Sequence, residues 1–269
     1  MNRLIITFLI SLLLFSSCDL LDVHPYDCKI EARKNINSTN IELIERACKD
    51  KDTIRYVWTG DFQRWYDETN DMVKYINSNL KNIDFLMCGG DISDFGMTME
   101  FELIDDIMKN LNVPYISIIG NHDVIGNGYS VYRSMYGEEN FAFTAGKNRI
   151  VCLNTNALEF DYSNPVPNFS FIKNEISNNN NENIEKTIVA MHTQPYGEQF
   201  NNNVADVFHL YIKNLKNLTY CMNAHGHTYI IRDIFNDGIL YYACDSVKKR
   251  SFILFTITPD GYEYEIVRF

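Results

Sequence analysis

The sequence predicts an α/β domain built on mainly parallel strands, for three reasons. Between residues 53 and 119, apolar runs of strand length alternate with amphipathic helical stretches in the order β-α-β-α-β. Strands joined in this way usually pair in parallel within one sheet. A polar residue able to bind a ligand follows each of the three runs. The chain of 269 residues is 46% hydrophobic, so it suits one large domain with a substantial core.

The first half of this domain is predicted to hold three strands and two helices. The strands are expected at residues 53–59, 84–88 and 115–119, and the helices at residues 70–80 and 97–111. In each helix, apolar residues recur three or four positions apart, which places them on one core-facing side.

The second half is less regular. Residues 141–144 and 149–153 are predicted to pair as a hairpin across a turn that contains Gly146, whereas residues 126–128 and the Asn run 178–181 predict loops. Further strands are expected at residues 187–191, 218–222, 239–244, 251–258 and 262–269, and further helices at residues 165–176 and 204–215.

The beginning of the chain predicts an export signal. A positive Arg3 precedes an apolar run that ends at Phe15, which is too short to span a bilayer comfortably. The following Ser-Ser-Cys resembles the lipobox of bacterial lipoproteins, which implies that Cys18 becomes the lipidated first residue of the mature chain. A plain secretory signal with cleavage nearby is the alternative.

These observations divide the chain into three parts. We expect a lipoprotein signal peptide at residues 1–17, an N-terminal tether and short helix at residues 18–52, and the domain at residues 53–269. The mature protein would be anchored by lipid to a membrane of the bacterial cell envelope, outside the cytoplasm. Cys28 and Cys48 precede the first strand, and the sequence leaves open whether they form a disulfide.

The charge of the chain restricts its partners. A formal net charge of −11 argues against stable nucleic-acid binding, which needs a basic surface to replace the counterions of the phosphates. It therefore also disfavours a nuclease. A small phosphorylated substrate remains compatible, because bound metal cations would reverse the charge locally.

Oxygen and imidazole donors follow the predicted strands. Because ligands bind beyond the carboxyl ends of strands in open α/β sheets, we expect these donors to meet at one edge. Such a mixed set is typical of two divalent transition metals that share a carboxylate. In chain order these donors are Asp61, Asp91, Asn121, His122, His192, His225 and His227.

The order of the motifs resembles the calcineurin-like metallophosphoesterase superfamily, from about residue 54 to the C-terminus. The motifs are Asp-Phe-Gln, Gly-Gly-Asp-Ile-Ser-Asp, Gly-Asn-His-Asp, a lone His and His-Gly-His. The resemblance implies a four-layer α/β/β/α sandwich of two packed mixed sheets flanked by helices. It assigns the first metal to Asp61, Gln63, Asp91 and His227, and the second to Asp91, Asn121, His192 and His225, with Asp91 bridging.

The resemblance also implies an activity. Two divalent ions (Mn, Fe or Zn) would generate a bridging hydroxide that attacks the phosphorus of a phosphomonoester or phosphodiester. The family uses the position of His122 to contact the phosphoryl group or protonate the leaving oxygen, and the position of Asp94 to orient that ring. Asp123 is interpreted as a supporting or turn residue.

Two departures from the family pattern leave an alternative open. Gln63 replaces the usual histidine, and its amide oxygen is a weaker donor, so the first metal should bind less tightly. Ala224 replaces a usual glycine before the last motif; of two possible registers, we prefer the one that keeps both His225 and His227 as ligands. The alternative is a catalytically weak or inactive envelope lipoprotein that binds a ligand or partner. The polar stretches 64–68 and 154–156 either face the site or form ordinary loops.

Overall fold

The computed structural model describes residues 29–178 and 183–269. The predicted signal peptide, Cys18, Cys28 and most of the Asn run lie outside the described residues. Cys48 is buried. Within the described ranges, no helix is both long and apolar enough to cross a membrane.

The strands of the described chain form two sheets. In chain order the strands are β1 Ile54–Thr59, β2 Phe85–Cys88, β3 Tyr115–Ser117, β4 Phe141–Ala145, β5 Asn148–Leu153, β6 Lys186–Met191, β7 Leu218–Asn223, β8 Ile230–Arg232, β9 Tyr241–Ala243, β10 Ser251–Thr258 and β11 Gly261–Arg268. The first sheet has the order β11-β10-β1-β2-β3, and the second has the order β4-β5-β6-β7-β9-β8.

Both sheets are mixed: in the first, β1 pairs antiparallel with β10, and β10 pairs antiparallel with β11, and in the second, both edge pairs are antiparallel. Strands β1, β2 and β3 run parallel, as do β5, β6, β7 and β9. The predicted hairpin is confirmed, because β4 and β5 pair antiparallel. The α-helices of the described residues are α1 Ile36–Cys48, α2 Tyr66–Asn79, α3 Thr98–Met108, α4 Gly128–Met135, α5 Phe169–Asn178 and α6 Ala205–Ile212.

The alternation of side chains along the strands builds three apolar layers. In β1, Tyr56 and Trp58 face the core between the sheets, whereas Val57 faces the core under α2, α3 and α4. A third core lies between the second sheet and helices α5 and α6. Between the sheets, the hydroxyl groups of Tyr56 and Tyr220 lie 2.6 Å apart. The predicted four-layer α/β/β/α sandwich is therefore confirmed.

Helix α1 covers the free edge of β3. The side-chain amide of Asn37 accepts a hydrogen bond from the main-chain N–H of Ser117 and donates one to its carbonyl, at 2.9 and 2.7 Å. Asn40 donates to the carbonyl of Tyr115 at 2.7 Å. Two buried amides thus take the place of a neighbouring strand and satisfy an edge that would otherwise offer unpaired backbone groups.

Two predicted helices begin at other residues: the helix expected at 165–176 begins at Phe169, and the one expected at 70–80 begins at Tyr66. Two further elements differ from the sequence predictions. The expected loop at 126–128 is wrong at its end, because Gly128 begins helix α4. The reason is a tertiary contact: a Cβ at Gly128 would lie 2.5 Å from the Asp123 carbonyl oxygen and 2.7 Å from Gly96 Cα. This glycine therefore permits close packing rather than a turn. Strand β8, of three residues, is too short for a period-2 pattern to predict.

Candidate metal centre

The parallel strands β1, β2 and β3 bring the first three motifs together. Their registers align Thr59 with Cys88 and Cys88 with Ser117, so the three strands end at the same edge of the sheet. The loops beyond β1 and β2 are then joined by main-chain bonds: Asp61 N–H to the Gly90 carbonyl at 3.0 Å, and Gln63 N–H to the Asp91 carbonyl at 2.8 Å.

The ligand atoms of five predicted residues form two clusters that share one member. In each cluster the ligand atoms lie within 4.8 Å of one another, which is close enough for one cation to contact all of them. One cluster is Asp61, Asp91 and His227, and the other is Asp91, His192 and His225.

The carboxylate of Asp61 is a direct indication that a cation belongs here. The residue is fully buried, and neither carboxylate oxygen accepts a hydrogen bond from the described residues. His227 Nε2 lies 3.3 Å from Asp61 Oδ1. A buried charge without hydrogen-bond donors is costly, so this side chain fits a metal ion that would supply the missing positive charge.

A hydrogen bond selects the ring nitrogen that His192 offers to the second cluster. His192 Nδ1 lies 2.7 Å from the carbonyl oxygen of Gly89, which can only accept, so Nδ1 carries the proton. In the neutral ring, Nε2 then presents its lone pair, and it lies 3.0 Å from Asn121 Oδ1 and 3.4 Å from Asp91 Oδ1. His225 Nδ1 lies 3.0 Å from the same Asn121 oxygen. Asn121 therefore sits between the two imidazoles of this cluster.

Burial and the neighbouring side chains of the two clusters shift the pKa values of Asp91, His225 and His227. Burial, together with the Asp61 carboxylate, raises the pKa of Asp91, although His192 opposes the rise. Burial and His192 lower the pKa of His225 to about 4, so this ring is neutral near pH 7 and able to ligate. Contact with the Asp61 carboxylate raises the pKa of His227 despite burial. A cation would relieve the repulsion between Asp61 and Asp91.

His122 lies beside the clusters and is one-third exposed. Its main-chain N–H donates to Asp91 Oδ1 at 3.0 Å, and its ring Nδ1 lies 2.7 Å from the main-chain carbonyl oxygen of Asp94. The Asp94 carboxylate is farther away, at 3.6 Å from Nδ1, and forms an ion pair with Arg64 at 3.0 Å. The ring is thus oriented mainly by the Asp94 backbone rather than by its carboxylate. Burial lowers the pKa of His122, but Asp91 and the Asp94 carbonyl raise it more.

Gln63 and Ala224, the two departures from the family pattern, both lie at the site. Gln63 is buried at the site and is fixed through its main chain, as described above. Ala224 packs its methyl group against Gly89, where an added Cβ would lie only 2.8 Å away. Both His225 and His227 face the clusters, which is the arrangement that the preferred register requires.

Several of the candidate ligand residues have left-handed backbone conformations. Positive φ is uncommon outside glycine, although Asp, Asn and His adopt it more readily than most residues. Such conformations persist where the surrounding structure imposes them, often at functional sites. The φ angles are 54° at Asp61, 42° at Gln63, 53° at Asp91, 65° at His225 and 49° at His227.

Three supporting residues were not recognised, or only weakly, from the sequence. The buried Asp123 accepts hydrogen bonds from the N–H groups of Ser93 and Gly120, both at 2.9 Å, and so joins the second and third motif loops. Asn156 donates to the Ile119 carbonyl at 3.0 Å. Ser246 donates to the Asp61 carbonyl at 3.0 Å. Apart from the bond between Asp123 and Gly120, these contacts bridge segments far apart in the chain, so no local pattern signals them.

Comparison with known proteins identifies the family. Residues 54–229, more than half of the chain, match the family model of calcineurin-like phosphoesterases. The chain therefore belongs to the calcineurin-like phosphoesterase family, and membership supports a metal-dependent hydrolase of phosphoric esters as its class of activity. No curated protein sequence matches this chain.

Solved structures share the fold at low sequence identity. Purple acid phosphatase PPD1 from yellow lupin (Lupinus luteus) has a TM-score of 0.62 and 13% identity, over 82% of this chain and 52% of that one. A dimetal phosphatase from Danio rerio has a TM-score of 0.60 and 10% identity, over 80% and 98% of the two chains. GAP50, described as the anchor in the inner membrane complex of Plasmodium, has a TM-score of 0.57 and 12% identity, over 81% and 85%. These likenesses establish the fold.

Proposed function

We propose that this protein is a dinuclear metal-dependent phosphoester hydrolase of the bacterial cell envelope. The observation that carries the proposal is the sharing of Asp91 by two clusters of potential ligands. One buried carboxylate with two oxygens serves both clusters, as a bridging ligand does. Asp61 and His227 complete one metal position, with Gln63 as a further donor. His192, His225 and Asn121 complete the other.

Two divalent cations, when bound, supply positive charge to the phosphoryl oxygens and lower the pKa of water. Mn, Fe or Zn suits the mixed oxygen and imidazole donors. The surrounding residues of the chain hold the candidate ligand side chains in fixed positions. The left-handed backbones and the Asp123 bonds between loops serve that purpose.

His122 is the residue that we assign to proton transfer. Because its Nδ1 proton is held by the Asp94 carbonyl, Nε2 is the ring atom available to a substrate. The raised pKa of His122 favours the imidazolium form, which can donate from Nε2 to the leaving oxygen. Partial exposure of the ring leaves room for a substrate to approach.

The substrate class is a small phosphomonoester or phosphodiester. The net charge of −11 gives no support for a polymeric nucleic-acid substrate. The envelope location rests on the sequence of residues 1–18, with Cys18 as the lipidated residue. If this is correct, Cys18→Ser should move the protein from the membrane fraction to the soluble fraction, and an unchanged membrane fraction would contradict the anchor.

The activity is tested with 4-nitrophenyl phosphate and bis(4-nitrophenyl) phosphate in the presence of Mn, Fe or Zn. The mature protein should hydrolyse at least one of them, and Asp91→Asn should abolish the reaction. Asp106→Asn is the matched control, because Asp106 is an exposed carboxylate on α3 that pairs with Lys109. Equal activity of wild type and Asp91→Asn would refute the proposal.

Gln63 is the observation that favours a second candidate. A neutral amide in place of imidazole weakens one metal position, which suits a protein that keeps the fold to bind a ligand or partner. Restoring the family residue with Gln63→His separates the two candidates. A rise in activity from a measurable wild-type level supports the hydrolase. Wild-type protein that binds metal but hydrolyses neither ester supports the binding protein.

A further inference from the structure

A cleft of about 450 Å³ lies beside His225, and the proposed chemistry does not account for its walls. Small-molecule sites typically measure about 300–1,000 Å³. One part of the lining is the segment from Ala224 to Gly226. Because His225 belongs to the second ligand cluster and also lines the cleft, the cleft borders the candidate metal centre. A phosphoryl group at the metals would therefore leave the rest of its molecule next to this space.

One wall of the cleft, the loop that follows β6, is held in place. Tyr196 has a φ of 63°, which fixes an unusual turn in this loop. Its hydroxyl group donates to Asp206 Oδ1 at 2.7 Å, and its ring centroid lies 5.8 Å from that of Phe235. This wall is thus formed before a ligand arrives, which reduces the entropy that binding would cost.

The other wall carries an arginine that has no carboxylate partner. Arg232 lies on β8, which pairs antiparallel with β9 so that Arg232 faces Tyr241 in the register. Among the described residues, no carboxylate lies within 4.0 Å of its guanidinium nitrogens. The arginines that do form ion pairs are Arg33, Arg55, Arg64, Arg133, Arg149 and Arg250. A guanidinium free to make two parallel hydrogen bonds is well suited to a carboxylate or phosphate.

An arginine with no carboxylate partner in the described part of the chain is notable at this cleft, because the chain as a whole is acidic. At a net charge of −11, the protein as a whole repels anions, so an anionic substrate depends on local cations. Glu198, on the wall formed by the β6 loop, also lines the cleft. It does not pair with Arg232, and it therefore offers a matched variant of opposite charge.

We propose that the cleft holds the leaving group of the substrate and that Arg232 binds a second anionic group on it. The substrate class is then a phosphoester whose alcohol half carries its own carboxylate or phosphate. This inference rests on the proposed hydrolase function. It goes further by assigning a specificity residue outside the metal centre.

The test uses phosphonates, which mimic the ester but are not hydrolysed. Calorimetry on the full-length mature protein, loaded with metal, compares 4-carboxybenzylphosphonate with its methyl ester, which has lost the second charge. A third probe, with a phosphonomethyl group in place of the carboxylate, shows which anion is preferred. The proteins are the wild type, Arg232→Gln, Arg232→Lys and Glu198→Gln.

Wild type should bind the two doubly anionic probes at least about tenfold more tightly than the methyl ester, as expected for a hydrogen bond between charged groups. Arg232→Gln should remove this preference, Arg232→Lys should keep part of it, and Glu198→Gln should keep or increase it. An equal preference in wild type and Arg232→Gln would overturn the inference. Because the probes bind without being cleaved, this result is independent of whether the protein hydrolyses phosphoesters.

Discussion

His227 Nε2 lies 3.3 Å from Asp61 Oδ1, and this contact joins the two sheets of the sandwich at the site. Asp61 follows β1 of the first sheet, whereas His227 follows β7 of the second. A cation held by both residues would therefore link the sheets as well as provide chemistry. Metal binding and stability of the whole domain should be coupled for this reason.

Removing metal should lower the melting temperature. A ligand present at about 100 times its dissociation constant adds about 2.7 kcal/mol of stability, which for a domain of this size corresponds to about 5–10 °C. Calorimetric melting of protein treated with a chelator and then reloaded with Mn or Zn measures the effect. Asp61→Asn removes a ligand from only one of the two clusters, so metal should raise its melting temperature by less than that of wild type. A wild-type melting temperature that metal does not change would contradict this coupling.

Replacing His122 should impair turnover but not metal binding. His122→Asn removes the ring that we assign to proton transfer and keeps the main-chain N–H that binds Asp91. We expect kcat to fall by about 10²–10⁴-fold, the usual contribution of a general acid. Metal content per chain should equal that of wild type. A kcat within a few-fold of wild type would remove His122 from the mechanism.

Gly120 should not tolerate a side chain. A Cβ at this position would lie 2.1 Å from Asp91 N and 2.2 Å from Asp91 Oδ1, so the two motif loops would have to separate. We expect Gly120→Ala to lower the free energy of unfolding by about 2 kcal/mol or more, as overpacking does. Gly261→Ala is the control, because no heavy atom of the described residues, apart from its chain neighbours, lies within 4 Å of its added Cβ. Denaturant unfolding measures the free energy of unfolding of both variants. Equal values would contradict the prediction, because they would show that the two loops can move apart at little cost.

Acid should weaken the packing of α6 through Asp237. Burial raises the pKa of this carboxyl, but hydrogen bonds from Lys213 and His209 lower it more, to about 2. Because the folded pKa lies below the ordinary value of about 3.9, the stabilisation is present above about pH 4 and is lost as the pH falls towards 2. Urea unfolding of wild type and Asp237→Asn should therefore show a stability difference that shrinks over this interval. A difference that stays constant from pH 6 to pH 2 would contradict the assignment.

The sequence predicted the parts of the fold that depend on local pattern. The alternation of apolar runs and amphipathic helices identified β1, β2, β3 and the helices between them, and the order of the motifs predicted the candidate ligands. Parallel strands end at a common edge of the sheet, so the strand pattern alone predicts that the residues following them lie close together. This physical regularity explains why the sequence could predict that residues from separate segments lie close together.

Contacts across the molecule could not be predicted in the same way. Nothing in the sequence near Asn37 or Asn40 shows that their amides satisfy the edge of β3, because the partner groups are main-chain atoms of a distant strand. The pairing of Arg64 with Asp94 is a similar case, and it leaves the Asp94 carbonyl to orient His122. The cleft at Arg232 depends on β8, which is too short to recognise from its pattern.

The most direct test of the central claim is the number of metal ions bound per chain. Mass spectrometry on the mature protein, purified with Mn, Fe and Zn supplied, should find two ions in wild type and fewer than one in Asp91→Asn, because Asp91 belongs to both clusters. One ion in wild type that rises to two in Gln63→His would still support the shared site and would place its weakness at the amide ligand. No bound metal in wild type, even after reconstitution, would contradict the account.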